Sequence, residues 1–116
     1  MEEPMSKYIT TLILALGLSM AFAHPAGNLK ANYNSKTQIL EVSYAHKVKD
    51  ALDHYIAKME ISVNGKQVIT HTLSLQESLE GGTLLYKLPA LKATDKITVS
   101  SECNKGGKKS TSISLK

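Results

Sequence analysis

Apolar and polar residues alternate along most of the chain, in short runs that are separated by turn residues. From residue 38 to residue 44, Leu40, Val42 and Tyr44 share one face, and polar residues occupy the other. Alternation with a period of two is typical of a β-strand with one buried face. Similar runs lie at 30–33, 54–63, 66–74, 84–88, 96–103 and 110–115. The pattern therefore predicts about seven short strands and no convincing helix.

The residues between these runs are also typical of antiparallel strands. Asn64-Gly65 separates two of the runs and matches the two-residue hairpin turn, which requires positive φ at both positions. Gly81-Gly82 and Gly106-Gly107 separate later runs. Short strands with regular turn signals predict an all-β fold, an immunoglobulin-like antiparallel β-sandwich of about seven strands.

Residues 1–23 have the pattern of a secretory signal peptide. Lys7 precedes an uncharged, mostly apolar run, and Ala21-Phe22-Ala23 has the small-x-small spacing that signal peptidase recognises. The apolar run is short for a membrane span, which needs about 20 residues, although a retained anchor is the alternative. We expect export, to the periplasm or beyond, with cleavage after Ala23. Residues 24–116 would then form one sandwich domain without a membrane anchor.

The charge of the chain limits the classes of partner. The formal net charge is +4, and every basic residue is a lysine. Without arginine, the chain lacks the side chain best suited to bidentate contacts with phosphates and base edges. We therefore expect no nucleic-acid binding. The positive charge favours attraction of small anions or of an acidic protein partner.

Cys103 is the single cysteine and ends one of the alternating runs. In an exported chain a lone cysteine cannot form an intramolecular disulfide, so it is a free thiol, an intermolecular partner or a metal ligand. It also shares a face with Ile97 and Val99, so burial as a small core residue is a further alternative.

Two histidines could approach Cys103. His46 and His54 flank a lysine-rich loop, residues 47–53, so both rings could converge on one rim of a sandwich. If Cys103 lies at the same rim, the three side chains form a His₂Cys set, which suits iron, copper or zinc. The alternative is that both histidines are solvated loop residues.

His24 and His71 are the remaining histidines. Cleavage after Ala23 would make His24 the first residue, where its amine and ring nitrogen could together chelate copper; a frayed terminus is the alternative. His71 lies in the middle of a predicted strand, and we expect it to pack or to face solvent. The chain has no nucleophile motif, P-loop or dinucleotide fingerprint.

Three segments, taken in order, resemble the iron-binding domain of superoxide reductases, the desulfoferrodoxin family, over roughly Leu40 to Lys109. They are His46 with His54-Tyr55-Ile56, the hairpin from Glu60 to Lys66, and Cys103-Asn104-x-x-Gly107. The resemblance implies an immunoglobulin-like sandwich with a surface iron centre that reacts with superoxide through four histidines and a cysteine thiolate.

The same resemblance assigns ligands to particular residues. His46, His54 and Cys103 match ligands of the family, whereas Gly106 stands where the family has its last histidine. His24 could supply another imidazole only if the N-terminus folds back to the site. The resemblance thus implies a metal centre that contains iron and lacks one of the usual histidines.

The same segments are also similar to the small sandwich subunit of the periplasmic thiosulfate-oxidising sulfur-carrier complex, whose ending looks like Asn104-Lys105-Gly106. That resemblance implies a non-catalytic module that binds a carrier protein and needs no metal. The sequence therefore leaves three hypotheses: an iron-binding, superoxide-reducing domain, a periplasmic protein-binding module, and a copper-binding domain that uses His24.

Overall fold

The protein folds into seven antiparallel strands in two sheets, as the computed structural model of residues 24–115 shows. The strands are β1 (Gly27–Asn34), β2 (Ile39–Ala45), β3 (Ile56–Val63), β4 (Lys66–Thr72), β5 (Gly81–Lys87), β6 (Lys96–Cys103) and β7 (Lys108–Ser114). One sheet has the order β1-β2-β5, and the other has the order β4-β3-β6-β7. The predicted all-β sandwich is confirmed. The predicted signal peptide, residues 1–23, lies outside the described residues.

Residues that alternate in the sequence form the core between the two sheets. On β2, Leu40 and Val42 are fully buried, as are Ile97 and Val99 on β6. Cys103 continues the buried face of β6 and is 2% exposed. Alternation alone therefore placed the core faces of these two strands correctly. Among residues 24–115, no helix is long and apolar enough to cross a membrane.

The predicted pattern is wrong at the start of β3. Alternation along 54–63 predicts that Tyr55 and Ala57 share the buried face with Met59, Ile61 and Val63, whereas Ile56 is the residue that is fully buried. The pairing of β3 with β6 is irregular between Ile56 and Lys58. An extra residue in one strand reverses which side chains face the core, and alternation cannot reveal it. His54 consequently lies in the bend before β3 and not within the strand.

The connections collect at the two ends of the sandwich. The β2–β3 loop, the β4–β5 loop and the β6–β7 turn share one end with the start of β1, and we call this the histidine end. The β3–β4 hairpin lies at the other, the hairpin end. Asn64 and Gly65 there have φ of 51° and 84°, which confirms the predicted turn.

Candidate metal centre

Three histidines from separate segments meet at the histidine end. His46 follows β2 directly, and its backbone N–H donates to the carbonyl oxygen of Glu80 at 2.8 Å. The backbone N–H of His54 donates to the carbonyl oxygen of Asp50 at 2.9 Å, which closes the β2–β3 loop. His24 lies just before β1. The three ring centroids are 4.5, 4.8 and 4.9 Å apart.

The separation of the ring nitrogens is close to what one metal ion requires. One nitrogen from each of the three rings lies within 4.8 Å of the others. Since metal–imidazole bonds are about 2.0–2.1 Å long, neighbouring ligand nitrogens around one ion lie roughly 3.0–3.5 Å apart. The most widely separated nitrogens therefore need to approach by about 1.5 Å to share an ion, a shift within the reach of side-chain adjustment.

A glycine in the β6–β7 turn lets the N-terminal segment reach this end. Gly107 has φ of 98°, which favours glycine. A Cβ atom there would lie 2.7 Å from the backbone nitrogen of Pro25 and 2.9 Å from the carbonyl carbon of His24. The neighbouring Gly106 has no side chain to offer as a ligand, whereas His24 of the N-terminal segment brings an imidazole to this end.

Cys103 is both buried and next to a histidine. Its Sγ lies 3.1 Å from Nε2 of His54 and accepts the backbone N–H of Lys105 at 3.4 Å. A thiol that is 2% exposed is poorly presented for a disulfide with another molecule. Cys103 is therefore buried in the core, and its thiol also adjoins the three-histidine cluster through His54.

The ring of His46 is buried between two oxygen atoms. It is 1% exposed, with Nδ1 2.7 Å from Oε1 of Gln76 and Nε2 3.4 Å from the carbonyl oxygen of His24. A neutral imidazole has one nitrogen that donates and one that accepts. One nitrogen of His46 therefore faces an oxygen with its own lone pair. An electrophile, either a metal ion or a second proton, would satisfy that nitrogen.

The electrostatics of His54 favour its neutral form. Burial lowers the pKa of His54, and the neighbouring His46, His24 and Lys105 lower it further, whereas Asp53 opposes the change. A lowered pKa keeps the imidazole unprotonated at neutral pH. Because a histidine must be neutral to bind a metal, this environment makes His54 available as a ligand.

A cavity of about 560 Å³ opens beside the cluster. Its lining residues are His24, Lys47, Val48, Lys49, Asp50, Asp53, His54 and Lys105. The Nζ of Lys105 is 3.2 Å from the Asp53 carboxylate, so these two charges largely offset each other. Lys47 and Lys49 then outnumber Asp50, and the cavity is suited to a small anion.

The structure brings His24, His46 and His54 together, places Cys103 against His54 alone, and leaves His71 apart. Nδ1 of His71 lies 2.7 Å from the Tyr86 hydroxyl, so this histidine packs between the two sheets, as expected. Sequence reasoning missed Gln76, which contacts His46. A single glutamine in a loop carries no local signal of such a role.

No family model matches the chain, and no curated protein matches its sequence. Solved structures do match it. A superoxide reductase (1Fe-SOR) from Giardia intestinalis superposes with a TM-score of 0.56 at 11% identity, covering 74% of this chain and 94% of its own. The fold is superoxide-reductase-like. At this identity the likeness concerns the fold alone.

Two further structures are similar to this sandwich. A hypothetical protein from Pyrococcus horikoshii matches with a TM-score of 0.51 and 15% identity, over 79% of this chain and 89% of its own. A superoxide reductase (neelaredoxin) from Ignicoccus hospitalis matches at 16% identity with a TM-score of 0.46, over 77% of this chain and 80% of its own.

Proposed function

We propose that this protein binds one iron ion at His24, His46, His54 and Cys103 and reduces superoxide there. The observation that carries the proposal is the three-histidine cluster, with its ring nitrogens within 4.8 Å of one another. Within it, the buried ring of His46 has an oxygen at each nitrogen and calls for an electrophile. The superoxide-reductase-like fold favours iron among the metals that would fit.

The donor atoms suit a transition metal. Imidazole nitrogens bind iron, copper, nickel and zinc, and a thiolate excludes the hard ions calcium and magnesium. Cys103 must lose its proton to become a ligand. The N–H of Lys105, 3.4 Å from Sγ, would stabilise the resulting thiolate.

Reduction of superoxide takes up one electron and two protons and yields hydrogen peroxide. Bound iron would supply the electron, and an external one-electron donor would restore it. The contribution of the chain itself is to hold the ligands and to attract the anion. Lys47 and Lys49 line the cavity beside His54, and their positive charge raises the local concentration of superoxide.

We further propose that the protein works after export, because residues 1–23 have the pattern of a cleaved signal peptide. Export bears on a second candidate, a copper centre. Its support is the position of His24, whose ring lies 4.5 Å from that of His46. Cleavage after Ala23 would place a free amine at this residue, and amine with imidazole nitrogens suits copper(II).

Anaerobic loading with iron(II) tests the proposal. The full chain is expressed with residues 1–23 intact, and mass spectrometry identifies the first residue of the purified protein. We expect one iron per chain and, after oxidation, a visible sulfur-to-iron absorption band. The band should disappear in Cys103→Ser and persist in His71→Gln, a matched histidine control outside the cluster. Superoxide should be consumed with formation of peroxide and without release of oxygen.

Two results would contradict the iron proposal: a protein that binds no iron, or an iron protein whose spectrum is the same in Cys103→Ser. Stoichiometric copper that is lost when one residue is added before His24 would support the second candidate. If neither metal binds, the protein-binding module that the sequence also suggests becomes the leading explanation.

A further inference from the structure

We propose that Gln76 is a positioning residue that fixes His46 in the tautomer protonated at Nδ1, so that Nε2 presents its lone pair to the metal. The functional consequence rests on the proposed metal centre. The tautomer itself rests only on hydrogen bonds within the protein, and the two can be tested separately.

Gln76 is buried although it lies in a loop. It belongs to the β4–β5 connection, is 3% exposed, and its backbone N–H donates to the carbonyl oxygen of Ala51 at 3.1 Å. A glutamine side chain has two donor hydrogens and an acceptor oxygen, and burying them without partners is unfavourable. The partners of this carboxamide therefore determine how it is oriented.

The backbone around Gln76 allows only one orientation of the amide. Its Nε2 donates to the carbonyl oxygens of His46 and Ser78, at 2.7 and 2.9 Å. Its Oε1 accepts the backbone N–H of Ile56 at 3.3 Å. A flipped amide would place its NH₂ group against a backbone donor and its oxygen against two carbonyl oxygens. Three backbone groups thus fix Oε1 on the side that faces His46.

This orientation determines which nitrogen of His46 carries the proton. Oε1 of Gln76 can only accept, and it lies 2.7 Å from Nδ1 of His46. Nδ1 must therefore donate, and in the neutral ring Nε2 keeps the lone pair. Free histidine prefers the opposite tautomer, with the proton on Nε2. The protein thus selects the less common form, in which Nε2 is the nitrogen available as a ligand.

Gln76 also holds the backbone to which the ring is attached. One carboxamide contacts both the side chain and the carbonyl oxygen of His46, and it reaches the first residue of β3, Ile56, two residues after His54. It therefore links the end of β2 to the start of β3. A metal-binding histidine that donates its other N–H to an oxygen is held in tautomer and orientation, and losing such a partner costs about 10–100-fold in metal affinity.

Nitrogen NMR of the metal-free protein tests the tautomer directly, in the wild-type chain. A long-range hydrogen–nitrogen correlation spectrum of the histidine rings is recorded under conditions in which the His46 ring is neutral. The signals of His46 are identified by their absence in His46→Gln. We expect the shift of a protonated nitrogen at Nδ1 and of an unprotonated nitrogen at Nε2. The reverse assignment, with the proton on Nε2, would overturn the proposal.

Metal titration of Gln76→Met tests the positioning role. Methionine has a similar length and can neither accept from His46 nor donate to its carbonyl oxygen. We expect cobalt(II), a redox-stable probe, to bind about 10–100-fold more weakly than to the wild type. Leu88→Ala is the control, because it removes a core side chain at the hairpin end; it should lower the melting temperature and leave cobalt affinity unchanged.

The two measurements separate this proposal from the proposed function. A wild-type protein that binds no cobalt or iron but shows the Nδ1–H tautomer would refute the metal centre and support the hydrogen-bond assignment. If Gln76→Met binds cobalt as tightly as the wild type does, the positioning role is refuted. If Gln76→Met does not fold, the wild-type NMR spectrum still decides the tautomer.

Discussion

The two ends of the sandwich satisfy their polar groups in different ways. At the hairpin end, the side chain of Asn64 donates to Asp95 at 2.9 Å and accepts the backbone N–H of Lys96 at 2.9 Å, and all these groups are exposed. At the histidine end, His46 and Gln76 are almost fully buried and bond across 30 residues of sequence. The hydrogen bonds at the hairpin end stabilise a turn, whereas those at the histidine end position buried side chains next to the three-histidine cluster.

The difference indicates that the histidine end contains polar side chains beyond those that the fold requires. A hairpin needs a residue that tolerates positive φ and a few local hydrogen bonds, and the hairpin end has both. A structural end would not need three imidazoles, a buried thiol and a glutamine with every polar atom bonded. Buried polar networks of this kind stabilise a fold only when each group is satisfied, and Nε2 of His46 faces the carbonyl oxygen of His24 at 3.4 Å.

The largest effect should follow removal of a histidine from the cluster. We expect His46→Ala to lose metal binding by more than the roughly 10–100-fold that loss of an outer partner costs, because a ligand is removed outright. Isothermal titration with cobalt(II) measures it. His71→Ala, a histidine from the middle of the sandwich, should bind as the wild type does. Equal losses in both variants would show that the two regions do not differ in function.

A second substitution separates the N-terminal segment from the rest of the site. Ala at Gly107 would place its Cβ 2.7 Å from the nitrogen of Pro25, so His24 should move away from the cluster. Gly65→Ala is the matched control, since Gly65 also has positive φ but no atom within 4 Å of the Cβ position.

Both glycine variants should lose about 1–3 kcal/mol of stability from the strained backbone. Only Gly107→Ala should also weaken cobalt binding, by at least about 10-fold, because displacing His24 takes a ligand away from the proposed centre. Thermal unfolding and metal titration on the same samples give the two numbers. Similar metal affinities in the two variants would mean that His24 is not held at the site through this contact.

A substitution at the hairpin end should lower the stability of the protein and leave its metal affinity unchanged. Asn64→Ala loses two side-chain hydrogen bonds and places alanine at φ of 51°, so we expect about 1–2 kcal/mol less stability by urea denaturation. Metal affinity should stay that of the wild type. A variant that loses metal as well as stability would show that the two ends are energetically coupled.

The smallest effect concerns Tyr86, whose hydroxyl forms a hydrogen bond with His71 across the two sheets. Burial raises the pKa of Tyr86 to about 12, from 10.0 for an unperturbed tyrosine, and the nearby Tyr44 adds to the increase. Above pH 10 the unfolded chain releases the hydroxyl proton of Tyr86, whereas the folded chain keeps it. The contribution of Tyr86 to the free energy of unfolding is therefore complete below pH 10 and is lost between pH 10 and 12.

Tyr86→Phe should therefore remove that part of the pH dependence. The urea midpoints of the wild type and of the variant should converge as the pH rises from 10 to 12, and metal affinity at neutral pH should be unchanged. Parallel curves would show that Tyr86 titrates alike in the folded and the unfolded chain.

The sequence predicted what depends on local patterns. Alternation of Ile97, Val99 and Cys103 gave the buried face of β6, and Asn64-Gly65 gave the hairpin. The proximity of His46 and His54 also followed from local reasoning, because both flank one loop. Each of these features depends on residues that are close together in the chain.

The remaining features depend on contacts between distant segments. The irregularity at the start of β3 reverses the face of Ile56 without any change in the apolar pattern. The position of His24 depends on a close approach to Gly107, and the role of Gln76 depends on where a separate loop is held. Loop positions follow from packing in three dimensions, which local periodicity does not encode.

X-ray absorption spectroscopy of the iron-loaded protein tests the ligands of the metal centre directly, because it identifies the atoms bound to the metal. We expect scattering from imidazole rings together with one sulfur atom, with the sulfur lost in Cys103→Ser and the imidazole contribution reduced in His24→Ala. Iron surrounded only by oxygen atoms, or a spectrum that neither substitution changes, would contradict a metal centre at His24, His46, His54 and Cys103.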